Sequence, residues 1–263
     1  MADYKVAIIG TGNVATNLAL ALETGGHFIT EIYGRDLTQA MDLANRLYET
    51  EPQDFLDFSE SEAGVFFICV SDNAITQVVE HLVLPENAIV VHTAGSVPID
   101  VLDGIATFNG VFYPLQSLSK SRIIAFENVP ICLEASTSEV KAVLIDLATS
   151  ISNFVYELNS EERKAAHLAA VFINNFSNHL FALASDIAKD SELPTEIFNA
   201  LIIETAQKAI ELGPDAAQTG PAKRGDMKVV QKHLKQLQHN SQLQDIYLAF
   251  SESIANRYGV DLN

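Results

Sequence analysis

Cysteine is scarce in this sequence: Cys69 and Cys132 are the only two among 263 residues, and each lies in an apolar, strand-like run. A small buried thiol is the ordinary role of such a residue, so the sequence predicts neither a disulfide framework nor a metal site. A continuous apolar run of about 18 residues, which a membrane helix needs, is also missing. We therefore predict a protein with no bound metal and no membrane contact.

Basic residues are few as well, with 16 Lys and Arg against 34 Asp and Glu and a formal net charge of −18. Such a charge repels a phosphate backbone, which disfavours nucleic-acid binding, and we expect no nucleic-acid partner. A solubilising surface accounts for the acidity. The sequence opens without a basic stretch, a longer apolar segment and a cleavage site, and we expect a cytoplasmic protein.

Strands and helices alternate over the first part of the chain. An apolar strand at Val6–Ile9 runs through a glycine turn into a helical pattern at Val14–Leu22, and a second strand follows at Phe28–Tyr33. Parallel strands need long, usually helical crossovers, so this order predicts a doubly wound α/β sheet. Further strands are predicted at 65–70, 88–92, 110–113 and 129–133, and further helices at 37–48, 74–82 and 139–151.

The pattern becomes purely helical near residue 158. Ser160 is a plausible helix N-cap, with Glu161 and Glu162 at the positive end of the helix dipole. Helices are predicted over 161–190, 195–212 and 226–258, the last one interrupted at 239–240. We therefore expect a dinucleotide-binding Rossmann domain over residues 1–157 and a helical substrate and dimerisation domain over residues 158–263.

The first turn carries a G-x-G-x-x-A motif between a strand and a helix, where the motif has a mechanical meaning. Gly10 permits the tight turn, Gly12 lets the backbone approach a pyrophosphate, and Ala15 lets the helix pack close to the strand. Unpaired N–H groups at the helix N-terminus would meet the pyrophosphate. The predicted cofactor-binding turn consists of Gly10, Thr11, Gly12, Asn13, Val14 and Ala15.

The end of the second strand bears on the choice between NADP(H) and NAD(H). Arg35 there can hold a ribose 2′-phosphate with charge-assisted hydrogen bonds, which favours NADP(H) by at least about tenfold. If Asp36 points at the ribose instead, NAD(H) is preferred. We predict NADP(H) as the cofactor, with NAD(H) as the less favoured alternative.

Three more loops follow strands whose carboxyl ends face the ligand side of an open sheet. Val70, Ser71 and Thr93 are predicted to contact the cofactor, although Ser71 and Asp72 could instead cap the next helix. Further along these loops, polar or flexible residues suit substrate contacts. We assign Ser96 to catalysis and Gly95 and Gln116 to substrate binding.

A mostly apolar helix after residue 158 carries a few polar side chains. His167, Asn174 and Asn178 are seven and then four residues apart, which places them on one helical face, and Asn175 lies beside them. These side chains could instead be structural, with their hydrogen bonds satisfied inside the core. Because several polar groups share one face of an apolar helix, we predict a catalytic role for the first three and substrate binding for Asn175. Arg224, in a turn-rich segment, is predicted either to bind an anionic substrate group or to belong to an ordinary linker.

The order of a Rossmann domain and a helical domain resembles that of pyrroline-5-carboxylate reductases and of β-hydroxyacid dehydrogenases of the 6-phosphogluconate dehydrogenase type. The residues that carry this resemblance include Gly10–Ala15, Arg35 and the paired Asn174 and Asn175. The chain is similar above all to a family pairing a Rossmann-like domain with a C-terminal domain of unknown function, often labelled deazaflavin-coenzyme-dependent NADP oxidoreductases. The resemblance implies a helical domain like the C-terminal domain of 6-phosphogluconate dehydrogenase. It also implies a homodimer formed through that domain.

One position departs from the β-hydroxyacid dehydrogenases: their catalytic lysine, three residues before the paired asparagine, is Val171 here. Valine transfers no proton, so His167, one turn earlier, is the candidate proton donor. The leading hypothesis is an NADP(H)-dependent oxidoreductase that transfers hydride to or from a small polar carbonyl, imine or hydroxy compound in the interdomain cleft. A non-catalytic dinucleotide sensor or scaffold and an NADPH-dependent deazaflavin reductase are the alternatives.

Overall fold

A computed structural model describes residues 3–261, and its contacts divide the chain into two compact units, 1–175 and 176–263. Helix α5 (Ser160–Ala170) belongs to the first unit, because Arg163 on this helix is ion-paired with Glu134 of strand β7 (Ile131–Ala135). The predicted domain boundary at 157–158 thus falls inside the first unit. Positions 1, 2, 262 and 263 of the predicted domains lie outside the described residues.

The other strands of the described residues are β1 (Lys5–Ile9), β2 (Phe28–Tyr33), β3 (Glu51–Gln53), β4 (Val65–Ile68), β5 (Ile89–His92), β6 (Phe108–Pro114) and β8 (Val155–Glu157). Together with β7 they form one sheet in the order β3-β2-β1-β4-β5-β6-β7-β8. Neighbouring strands are parallel except β6 and β7, which are antiparallel. The predicted doubly wound α/β fold is confirmed, and the strand order reverses between β1 and β4, where such sheets bind ligands.

Helices cover both faces of this sheet. In β1, Val6 and Ile8 belong to one hydrophobic core and Ala7 and Ile9 to the other, so an alternating strand supplies two apolar layers. This double burial explains why the strand is apolar throughout. The helices are α1 (Asn13–Thr24), α2 (Leu37–Ala44), α3 (Asp72–His81) and α4 (Ser138–Ile151), with a 3₁₀ turn at Ile99–Leu102.

Three local features differ from the prediction. Helix α2 ends at Ala44 rather than at residue 48, because the chain must turn back to place β3 beside β2. Strand β3 was missed because its three residues, one of them Pro52, are too few to show a two-residue period. The N-cap of α5 is Asn159 rather than Ser160, and its side chain forms a capping box with Glu162.

The second unit is helical, as predicted. Asp226 and Asn240 cap the last two long helices by accepting hydrogen bonds from the backbone N–H groups of Val229 and Leu243. Among residues 3–261 no helix is both long and apolar enough to span a membrane. The helices are α6 (Ser177–Asp190), α7 (Asn199–Leu212), α8 (Pro214–Ala217), α9 (Pro221–Arg224), α10 (Met227–Gln236) and α11 (Ser241–Arg257), with a 3₁₀ turn at Thr195–Phe198.

Candidate functional site

Glycine occupies positions 10 and 12 of the first turn for two different reasons. Gly10 has φ +129°, and a Cβ there would lie 2.4 Å from the carbonyl oxygen of Cys69, so the fold itself requires glycine. A Cβ at Gly12 would meet no protein atom closer than that same oxygen, at 3.9 Å. The protein leaves open the side of Gly12 where a pyrophosphate would approach. Ala15 is buried on the inner face of α1.

A cavity of about 680 Å³ opens at the carboxyl ends of β1, β2 and β4. This volume lies in the range of small-molecule and cofactor sites, about 300–1,000 Å³. The cavity joins the glycine turn to the end of β2. Its lining includes Gly10, Thr11, Gly12, Tyr33, Gly34, Arg35, Gln39, Asp54, Phe55, Leu56, Cys69, Val70, Ser71, Ala74, Gln77, Val78, His81 and Lys120.

The end of β2 distinguishes Arg35 from Asp36. Asp36 is the N-cap of α2, and its Oδ1 accepts a hydrogen bond from the backbone N–H of Thr38 at 2.9 Å. Its Oδ2 accepts a longer bond from the Gln39 side chain. Arg35 is exposed and lines the cavity. The carboxylate is thus occupied with its own helix, and the guanidinium is the charged group of this pair that lines the cavity.

Asn13 has a role that the motif alone does not reveal. Its Oδ1 accepts a hydrogen bond from the backbone N–H of Lys120 at 3.1 Å, and Asn17, one turn later, donates to the carbonyl of Ser119 at 3.0 Å. These two bonds hold the loop after β6 against α1, and Lys120 in that loop lines the cavity. No sequence pattern indicated a role for Lys120, because Asn13, which it contacts in the fold, is 107 positions away in the sequence.

Some of the remaining residues predicted to bind the cofactor line the cavity, and others do not. Val70 and Ser71 line the cavity, and Ser71 is also the N-cap of α3. Thr93 is buried, and its hydroxyl donates to the carbonyl of Ile68 at 3.4 Å, so it is engaged with the sheet. Val14 is half-buried in the first turn of α1.

A polar cluster lies at the carboxyl ends of β5 and β6. The Ser96 hydroxyl donates to the carboxylate of Asp72 in the first turn of α3. The Tyr113 hydroxyl lies 3.0 Å from Nδ1 of His167, a residue of α5. Gly95 is buried beneath this second pair. The structure thus places three of the predicted residues, Gly95, Ser96 and His167, in one cluster, and adds Tyr113 and Asp72.

A buried ionic network holds α5 against the strands that carry this cluster. Arg163 is 1% exposed; its guanidinium donates to the carboxylate of Glu134 and to the carbonyl of Val97, both at 2.9 Å. Ser160 donates its hydroxyl to the same carboxylate. Nearby, burial first and then the Arg163 charge lower the pKa of His92 to about 4, so its imidazole is neutral at neutral pH.

Family models match both parts of the chain. A Rossmann-like domain covers residues 1–116, and a domain of unknown function, DUF2520, covers residues 129–254. A crystal structure from Bacteroides fragilis, assigned as an NADP oxidoreductase, is 41% identical, with 97% of this chain and 98% of that chain covered and a TM-score of 0.89. The chain belongs to this Rossmann–DUF2520 family.

More distant structures share the fold of this Rossmann–DUF2520 protein. A Thermotoga maritima protein is 24% identical over 95% of this chain and 99% of that chain, with a TM-score of 0.77. A pyrroline-5-carboxylate reductase from Coxiella burnetii is 18% identical over 98% of both chains, with a TM-score of 0.61. No curated protein sequence matches the chain. The predicted family resemblance and two-part fold are therefore confirmed.

The paired asparagines of this Rossmann–DUF2520 protein lie in a π-helical stretch, Val171–Phe176. A seven-residue spacing aligns His167 and Asn174 only along an uninterrupted α-helix, and the wider π turn rotates Asn174 away from that alignment. Asn174 and Asn175 are exposed there. Sequence periodicity could not reveal the change of helix type, because it assumes a constant number of residues per turn.

The other predicted site residues, Gln116, Asn178 and Arg224, are exposed and lie in separate segments of the chain. Gln116 follows β6, and its Oε1 accepts from the backbone N–H of Ser117 at 2.8 Å. In the second unit, Asn178 lies in α6 and Arg224 ends α9. Lys223, next to Arg224, donates to the carbonyl of Gln218 at 2.8 Å. Of the two adjacent cations, Lys223 is therefore occupied with its own loop.

Proposed function

We propose that this Rossmann–DUF2520 protein is an NADP(H)-dependent oxidoreductase that transfers hydride to or from a small polar carbonyl, imine or hydroxy compound. The observation that carries the proposal is the cavity that joins the open face of Gly12 to Arg35. A dinucleotide needs both a backbone site for its pyrophosphate and a site for its ribose at the end of the second strand. The Bacteroides relative assigned as an NADP oxidoreductase supports the same cofactor.

The cofactor fits the donors present. Gly12 and the N-terminus of α1 would hold the pyrophosphate, and Arg35 the ribose 2′-phosphate. Lys120 lines the same cavity, and we expect its ammonium to contact the cofactor phosphates. When bound, the nicotinamide supplies or accepts the hydride. The chain's own residues bind it and exchange protons with the substrate.

His167 is the proposed proton donor, since imidazole is the side chain most often used for this role and Val171 replaces the lysine of related enzymes. Ser96 is proposed to orient substrate within the same cluster. Roles for Gly95, Gln116, Asn174, Asn175, Asn178 and Arg224 remain predictions.

A second candidate function is a sensor or scaffold that binds the dinucleotide without turnover. Val171 is the observation that favours it, because the position offers no proton. An enzyme should lose turnover but keep cofactor affinity when His167 is changed to Ala, whereas a sensor has no turnover to lose.

The first test is a calorimetric titration with NADPH and NADH of the wild type, Arg35→Met and Arg46→Met. Arg46 is also exposed but lies outside the cavity lining, and it serves as the matched control. We expect NADPH to bind at least about tenfold tighter than NADH, and Arg35→Met to remove this preference while leaving NADH affinity unchanged. Arg46→Met should behave as the wild type. Binding of neither nucleotide would refute the proposed function.

We also propose a homodimer formed through the second unit. Among its described residues only Ala188, Ala222, Val230, Leu237 and Ala255 are buried apolar side chains, whereas large apolar side chains of α7 are exposed, with Ile210 at 84%. Exposed apolar surface on this scale marks an interaction site. Ile203 and Ile210, seven residues apart, share one face of α7.

Light scattering tests this dimer. We expect the wild type to have twice the mass of one chain and Ile203→Asp/Ile210→Asp to have the mass of a monomer, because charges on that face would have to be desolvated. Thr205→Asp adds a charge at an exposed polar position on the opposite side of the same helix and should remain dimeric. A monomeric wild type would contradict the proposal.

A further inference from the structure

Tyr113 and His167 come from distant parts of the first unit, 54 positions apart, and meet at the polar cluster. Tyr113 lies near the end of β6, and His167 lies in α5. Besides the 3.0 Å contact between the hydroxyl and Nδ1, the rings meet edge to face with centroids 5.9 Å apart. The contact therefore fixes both the ring plane and one ring nitrogen of the histidine.

Gly95 shows that the pair occupies a close-packed position. A Cβ at Gly95 would lie 2.7 Å from His167 Nδ1 and 2.7 Å from the Tyr113 ring. Atoms this close must shift, so a side chain at position 95 would displace the pair. The structure gives Gly95 a specific role, since its bare backbone is the surface on which the two rings rest.

The Tyr113 hydroxyl keeps its proton at neutral pH. Burial, as the largest cause, raises the pKa of Tyr113 to about 12, and the charge of Asp72 acts in the same direction. A protonated hydroxyl can donate its hydrogen to Nδ1. A neutral imidazole that accepts at Nδ1 must carry its own hydrogen on Nε2.

We propose that Tyr113 is a positioning residue that holds His167 in the Nε2–H form and so selects Nε2 as the nitrogen that faces the chemistry. The inference rests on the proposed function, because it assigns Nε2–H as the group that donates a hydrogen bond to the reacting oxygen or nitrogen of the substrate. A neutral imidazole N–H is an effective hydrogen-bond donor of this kind. Because a hydroxyl can also accept, the same contact persists when the imidazole is doubly protonated, and from that form Nε2 releases a proton to the substrate and leaves a neutral ring.

The experiment is ¹⁵N NMR of the imidazole signals of the full-length protein without cofactor, at a pH where histidine is neutral. His167→Gln identifies the signals. We expect the wild type in the Nε2–H form and Tyr113→Phe shifted toward the other tautomer by about fivefold, the ratio equivalent to one ordinary hydrogen bond. Thermal unfolding checks that Tyr113→Phe is folded.

A second tyrosine–histidine pair provides the matched control. In the second unit the Tyr247 hydroxyl lies 2.8 Å from Nδ1 of His233, with ring centroids 5.6 Å apart. Tyr247→Phe removes the same group and should leave the His167 signals unchanged. A wild-type His167 in the Nδ1–H form, or a tautomer ratio unaffected by Tyr113→Phe, would overturn the proposal.

The experiments distinguish failure of the tautomer proposal from failure of the proposed function. Tyr113 does not line the 680 Å³ cavity, so Tyr113→Phe should bind NADPH as the wild type does. Loss of NADPH binding in the wild type would remove the proposed function whatever the tautomer. An altered tautomer with normal NADPH binding, accompanied by at least a tenfold lower turnover at unchanged cofactor KM, supports both.

Discussion

Replacing Arg163 with Met should lower the free energy of unfolding by about 3–5 kcal/mol, the cost typical of removing one partner from a buried ion pair. The guanidinium is 1% exposed and donates to Glu134, to Ser160 and to the carbonyl of Val97. Methionine fills similar space but donates nothing. The Glu134 carboxylate then loses its cation, and the Val97 carbonyl loses a donor.

The matched control is Arg257→Met. Arg257 is ion-paired with Asp215, but both side chains are well exposed. Solvent screening leaves such an exposed pair with little net stabilisation, so the same substitution should have a small effect there. Urea denaturation of both variants compares the two directly. Equal losses of stability would show that burial of the Arg163–Glu134 pair contributes nothing of its own.

The second large effect is expected for Gly10→Ala. A Cβ at Gly10 would lie 2.4 Å from the Cys69 carbonyl oxygen, and the residue has φ +129°. The backbone conformation costs an L-residue about 1–3 kcal/mol, and the steric overlap adds about 1–3 kcal/mol. Because the turn must deform to relieve the overlap, NADPH binding should be lost as well.

Gly104→Ala separates these two contributions. Gly104 also has a positive φ, +90°, but no atom of residues 3–261 that could clash lies within 4 Å of a Cβ built there. We expect Gly104→Ala to lose only the conformational part and to keep its NADPH affinity. Chemical denaturation measures the free energy of unfolding of both variants, and titration with NADPH measures their affinity for the cofactor. A Gly104→Ala variant as unstable as Gly10→Ala would show that the contact with Cys69 is unimportant.

Local sequence predicted the first part of the fold well because its signals are short-range. The run Val6–Ile9, the glycine turn and the helix that follows are adjacent in the chain, and an apolar strand needs cover on both faces. The same reasoning predicted the later helices and the break between α10 and α11. It missed β3, a three-residue edge strand with no pattern to detect.

Only the tertiary structure shows how Arg35 and Asp36 differ at the end of β2. The sequence offered Arg35 and Asp36 as rival partners for the ribose, and nothing in their order separates them. The hydrogen bond from Thr38 occupies the Asp36 carboxylate as a helix cap, and the cavity lining includes Arg35. The π-helical stretch likewise changed the alignment of Asn174 with His167.

The sequence by itself determined the fold class, the glycine turn and the candidate His167, because each depends on residue type and short spacing. The tertiary structure decided which distant residues support them: Lys120 beside Asn13, Tyr113 on His167 and Glu134 on Arg163. These partners are brought together by the order of strands in the sheet. Strand order is set by the packing of the whole domain, and no local pattern records it.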